Sequence, residues 1–189
     1  TKKRDRMAFI RAFVPGVKFR ERFGLVNDKL ILRRLHDAFG GRTIESATIP
    51  LFLTATDFHT GEQVVFRSGS VADAVRASIA IPYVFEPWQI GDRLLVDGFL
   101  SDPMPVGVAM KEGADIIVTM GFESPYQSNV TSLLRFAFQL SSITSNNLLR
   151  AKFSFHNLAH HNEIIAIVPK FAEKIGLFDT HKIPYVIEE

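Results

Sequence analysis

Apolar residues in this chain come in short bursts closed off by proline, glycine or an Asp-Gly pair, and this punctuation restricts the possible folds severely. Residues 51–56 behind Pro50, 63–66, 93–96 ahead of Asp97-Gly98, 114–120 behind Gly113 and 163–168 ahead of Pro169 each have the length of one strand. None approaches the roughly 18 apolar residues that a spanning helix needs, so no membrane crossing is expected. Helical patterns fill the spaces between them. Asn27 or Asp28 is placed to cap a helix whose apolar face includes Leu32, Leu35 and Phe39, with Gly40-Gly41 as its stop. Ser70-Val71-Ala72-Asp73 has the form of a capping box. The Ser70 hydroxyl there accepts from the Asp73 amide, and Val71, Val75 and Ile79 share one face of the helix that follows. Pro105 precedes a short helix over 106–112 that Gly113 closes.

Residues 130–153 carry Val130, Leu133, Leu134 and Ala137 on one side of a further helix. Ser141-Ser142 and Ser145-Asn146-Asn147 are expected to fray or bend its middle, because short polar side chains compete for backbone bonds. Asp179 is a cap for a last helix, whereas the first 26 residues, broken by Pro15, Gly16 and Gly24, defy assignment. The alternation of strands and helices predicts an α/β fold with a mainly parallel sheet flanked by helices.

The 189 residues suit one domain, and 47% hydrophobic against 22% charged residues excludes a disordered tail. No cysteine is present, which removes disulfides, thiolate zinc sites and cysteine nucleophiles and says nothing about compartment. The net charge of +2 hides an asymmetry. Residues 1–34 hold eleven Lys or Arg against Asp5, Glu21 and Asp28, so the remainder is acidic. With Phe9, Phe13, Phe19 and Phe23 interleaved, this basic stretch has the makings of a contact for anionic lipid headgroups; a solvated, partly helical face with its aromatics in the core is the plainer reading. No RNP-like motif or recognition-helix pattern accompanies it, so no nucleic-acid partner is expected.

Familiar catalytic constellations are missing: no G-x-S-x-G elbow, no Gly-rich phosphate loop and no H-E-x-x-H. His156, His160 and His161 include an i, i+4 pair, the spacing for gripping a metal. Without a carboxylate motif they read as a surface or helix-end cluster, and no metal is expected. Asp97 stands where a hydrophobic strand meets Gly98. Its carboxylate should emerge at a strand's C-terminal end, where open α/β sheets bind ligands, and flanking Leu95, Val96 and Phe99 would desolvate it and make it a better base. The commoner use of Asp-Gly is a plain turn, and spacing alone favours that.

A set of linked motifs resembles the C-terminal half of patatin-like phospholipases and esterases. Residues 55–62, ATDFHTGE, are similar to the family's A-T-D-x-x-T-G-E strand and turn, and residues 74–82, AVRASIAIP, to its A-x-R-A-S-x-A-I-P helix, followed by Phe85-Glu86-Pro87. Leu95-Val96-Asp97-Gly98 matches the segment that carries the family's catalytic aspartate; Pro103-Met104-Pro105-Val106 and Gly113-Ala114-Asp115 continue the match in order. The likeness is dense over about the middle 70 residues, and several linked motifs are more specific than one. Weaker similarity runs from Gly24-Leu25 and recurs at 176–179.

The resemblance implies a three-layer patatin-like domain and a lipid or ester hydrolase working by a Ser-Asp dyad, with Asp97 as base and no histidine between. Gly98 and Phe99 complete the aspartate motif, and no cofactor is implied. Phe85, Trp88 and Leu100, together with Phe99, are candidate walls for an acyl chain. Phe99 departs from the family's Gly or Ala, and Asp102 stands where the family tends to place Asn, adding negative charge near Asp97.

The family's elbow serine and oxyanion loop precede everything matched here. Ser70 reads as a helix cap, Ser78 lies within a helix and Ser101 has no elbow around it. These residues are therefore expected to be the C-terminal portion of one patatin-like domain, incomplete and inactive alone, whose nucleophile comes from upstream sequence. Within it, 1–47 is expected as a basic helical segment, 48–169 as sheet core and 170–189 as a C-terminal helix. The alternative is a non-catalytic interaction or regulatory module. The expected location is cytoplasmic, with peripheral contact to an anionic membrane surface as the further expectation.

Overall fold

The computed structural model describes residues 28–126, 129–159, 163–173, 175 and 179–189. The basic stretch up to Asn27, His160-His161 and Gly176-Leu177-Phe178 lie outside the described residues. The chain is α/β. Its elements are α1 (Asp28–Phe39), β1 (Leu53–Asp57), β2 (Gln63–Phe66), α2 (Val71–Ser78), β3 (Trp88–Ile90), β4 (Arg93–Asp97), α3 (Val106–Lys111), β5 (Ile116–Met120), α4 (Leu133–Ala159), β6 (Glu163–Ile167) and α5 (Ile183–Glu188). The C-terminal segment is helical only at its end: a 3₁₀ turn, Thr180–Lys182, leads into α5, and Lys182 N–H bonds the Asp179 carbonyl at 2.8 Å.

The expectation of a mainly parallel sheet is corrected. Four strands form an antiparallel sheet in the order β2-β1-β4-β3, and only β5 and β6 pair in parallel, as a separate two-stranded sheet. The reason is local. Five residues separate β1 from β2 and two separate β3 from β4, and connections that short join only antiparallel neighbours. At the first turn Asp57 Oδ1 accepts from His59 N–H at 2.9 Å and Thr60 N–H at 3.1 Å, and Gly61 supplies the positive φ of +75°. The β5–β6 connection instead carries α4, the long crossover that parallel pairing requires. β3 was not expected from the sequence; three residues with Trp88 at their head give little alternation to read.

Helix α2 packs against the four-stranded sheet. Ser70 caps it as expected, accepting from Asp73 N–H at 3.2 Å. Ala77 joins Ala55, Val64 and Leu95 in one buried cluster, with Phe66, Trp88 and Ile90 around it, while Ala74 and Val71 pack with Ile44 in a second. A third cluster, Met104, Val106, Ile117 and Leu149, packs α3 and α4 onto the inner face of β5.

Ser142 and Asn146 do not interrupt α4, which is continuous from Leu133 to Ala159. Both are buried and turned outward from the helix to the extended segment after β5. Asn146 accepts from Ser124 N–H at 2.8 Å and donates to the Ser124 carbonyl at 3.0 Å; the Ser142 hydroxyl donates to the Pro125 carbonyl at 3.2 Å. Polar groups that weaken an isolated helix here take the place of a neighbouring strand.

Candidate active site

Asp97 is the last residue of β4, opposite Ala55 of β1. Its backbone is held from several sides. Asp97 N–H donates to the Ala80 carbonyl at 3.0 Å, just past the end of α2. Thr56 Oγ1 lies 2.8 Å from the Asp97 carbonyl oxygen and 2.9 Å from Ser101 Oγ, and accepts from Ser101 N–H at 3.1 Å. The carboxylate caps the 3₁₀ turn Gly98–Leu100, with Oδ1 accepting from Phe99 N–H at 2.8 Å. No other hydrogen bond to this carboxylate comes from the described residues.

Burial pushes the Asp97 carboxyl above its ordinary value, and the Phe99 amide, which favours the charged form, offsets only part of that. Asp57, at the same end-of-strand position on β1, shows the reverse. It is half-buried like Asp97, but two amides, of Thr60 and His59, outweigh desolvation and hold its carboxyl below the usual range. Asp57 makes a turn and nothing more is required of it, whereas Asp97 makes a turn and keeps a desolvated carboxylate oxygen in reserve.

Gly98 earns its place through proximity rather than backbone freedom. A Cβ there would lie 2.5 Å from the Thr54 carbonyl oxygen and 2.8 Å from Thr54 Oγ1, so β1 and the turn approach too closely for any side chain. Ser101 is occupied: besides Thr56, its hydroxyl donates to the Gly98 carbonyl at 3.2 Å. Ser78 is the last residue of α2 and Ser70 is its cap. Asp102 accepts from Met104 N–H at 3.3 Å, and Lys152 of α4 brings its ammonium to 3.6 Å. The added negative charge at 102 is thus met by a cation from another element.

The candidate acyl walls separate. Leu100 is exposed, and Phe99 is half-buried beside the carboxylate. Phe85 and Trp88 instead surround a residue that sequence reasoning left without a role, Arg76 of α2. Its side chain is fully buried, with the guanidinium carbon 5.5 Å from the Phe85 ring centre and 5.1 Å from that of Trp88, and Nη2 donating to the Glu86 carbonyl at 2.8 Å. The signal was present, since an arginine in a run of alanines next to Phe85-Glu86-Pro87 invites a partner. Tyr83, in the same connection, has φ +68°, rare for a bulky side chain, and stacks edge-on against Phe138 of α4 at 6.0 Å.

A profile of the patatin-like phospholipases matches residues 2–110, more than half of the chain and all of the Asp97 region. The chain belongs to the patatin-like phospholipase family. An uncharacterized NTE family protein of Mycobacterium tuberculosis is 37% identical over 97 residues, which is 51% of this chain and 27% of that protein. A counterpart in Mycobacterium bovis matches equally, and a second NTE family protein of M. tuberculosis is 42% identical over 76 residues, 40% of this chain and 13% of its own length. The match therefore spans about a quarter or less of these curated relatives. Among the described residues no helix is long and apolar enough to cross a membrane.

Proposed function

We propose that these residues form the base-bearing part of a lipid acyl hydrolase that uses a Ser-Asp dyad. The observation that carries the proposal is the Asp97 carboxylate, desolvated at the end of β4 and aimed by the Phe99 amide. Family membership supplies the reaction class, and the likeness of Leu95-Val96-Asp97-Gly98 to the family's aspartate segment supports giving this carboxylate the base role. The nucleophile is a serine outside these residues, because none of the serines near Asp97 sits in an elbow and Ser101 is tied into the turn.

Asp97 takes the proton from that serine as its oxygen bonds to the ester carbonyl carbon. The tetrahedral intermediate collapses, the ester C–O bond breaks, and Asp97 returns the proton to the departing alcohol. A water then attacks the acyl-serine, gives its proton to Asp97, and the acid leaves as the serine recovers its hydrogen. Burial serves this cycle, since a carboxylate that holds its proton more tightly is a stronger base.

The test is hydrolysis of a short-chain aryl ester by the natural protein carrying both halves. Asp97→Asn should lower kcat by about a thousandfold or more while circular dichroism is unchanged. Retained activity in that variant removes the dyad. Lack of activity in the wild-type protein favours a non-catalytic interaction module on the same scaffold.

A further inference from the structure

We infer that the cavity at the carboxyl ends of β5 and β6 binds an apolar carboxylate of the fatty-acid class. The cavity is about 580 Å³, within the roughly 300–1,000 Å³ of small-molecule sites. It opens between the segment that leaves β5, the segment that leaves β6 and helix α5, so it lies where open sheets of parallel strands receive ligands. Every lining residue falls in the range 122–186, beyond the stretch matched by the family profile, and Asp97 is not among them.

The walls are mostly apolar and held in place by contacts of their own. Phe122 and Phe171 lie nearly parallel, 6° apart with centroids at 6.3 Å, and Tyr185 meets Phe171 edge-on while its hydroxyl accepts from Ala172 N–H at 3.0 Å. Tyr126, Val168 and Val186 extend the apolar lining. The first wall is fixed from behind by α4, through the Asn146 bonds to Ser124 and the Ser142 bond to Pro125.

Charge narrows the ligand. Two carboxylates line the cavity and both are already paired with cations outside its lining: Glu123 with Arg150 at 2.9 Å and Glu173 with Lys182 at 2.9 Å. Lys170 also lines it, and no described carboxylate pairs with Lys170. One cation at the edge of an aromatic and aliphatic cleft suits a molecule with one negative charge and an apolar body. That the body is a fatty chain rests on the hydrolase reading, in which each turnover releases such an acid.

The probe is cis-parinaric acid, a fluorescent fatty acid, titrated into the natural protein that contains these 189 residues. Saturable enhancement is expected with a dissociation constant on the order of tens of micromolar, reversed by palmitic acid. Hexadecanol, the same chain without charge, should compete several-fold less well. Lys170→Met, at an exposed position that leaves the fold alone, should weaken binding about three- to tenfold, and Phe122→Ala should weaken it as well. Absence of saturable binding, or indifference to both substitutions, overturns the site. Displacement by 1-anilinonaphthalene-8-sulfonate but not by palmitic acid overturns the fatty-acid assignment. The readout is occupancy rather than turnover, so an Asp97→Asn protein that still hydrolyses esters defeats the dyad and leaves this titration to be decided separately.

Discussion

Ala55 and Leu95, neighbours in the antiparallel sheet, are 0% and 1% exposed, whereas Ile116 and Val118 of β5 are each 63% exposed. The register of the parallel pair puts Val118 beside Ile165 and Met120 beside Ile167, so the exposed residues share one face, and Ile117 and Ile164 point to the other. The antiparallel sheet satisfies its apolar side chains within the chain. The parallel pair is packed on one face and bare on the other among the described residues, although parallel sheets are ordinarily covered on both. The region that holds Asp97 is therefore fixed by contacts of this chain alone, and the region beyond it presents a surface of the kind that more polypeptide usually buries.

The sharpest challenge to this contrast is Gly98→Ala. If β1 and the Asp97 turn are as tightly joined as the 2.5 Å approach requires, the variant should lose about 3 kcal/mol of stability in urea unfolding. An unchanged midpoint would mean that the two strands have slack. In the other region, Asn146→Ala should cost about 2 kcal/mol by stranding the Ser124 N–H and carbonyl, with faster hydrogen exchange confined to the segment after β5. Global exchange at the antiparallel sheet as well would show that the two regions unfold as one.

Asp97 itself sharpens the comparison through pH. Burial raises its folded-state carboxyl above 3.8, so the ionised form is the one that folding disfavours. Stability should fall as pH climbs from 3.8 through the raised value and stay lower above it. Asp97→Asn, which keeps an oxygen for the Phe99 amide, should then unfold at higher urea than the wild type at pH 7, with the advantage disappearing as pH falls toward 3.8. A variant weaker than wild type at pH 7 would make Asp97 a structural acid. The smallest effect is expected from Tyr83→Gly: release of the positive φ should gain about 1 kcal/mol, partly offset by the lost contact with Phe138.

Much of the site was legible because its signals are local. The Ser70 cap, the Asp57 turn and the strand ending at Asp97 all follow from residues within a few positions of each other. What was misread depends on distant partners. Strand-helix alternation suggested parallel pairing, although the short turn after Asp57 already required a hairpin; the second hairpin, after Ile90, was hidden with β3. Ser142 and Asn146 looked like helix breakers because the backbone they serve, at Ser124 and Pro125, is about 20 residues away in sequence. Arg76 had no visible role until Phe85 and Trp88 were folded around it.

The bond that orients Asp97 comes from the main chain of residue 99, not from its ring. The bond is thus indifferent to which side chain occupies that position, and only proline, which has no N–H to give, is barred. A different side chain at residue 99 would reshape whatever approaches the acid, while the bond that aims the acid would be kept.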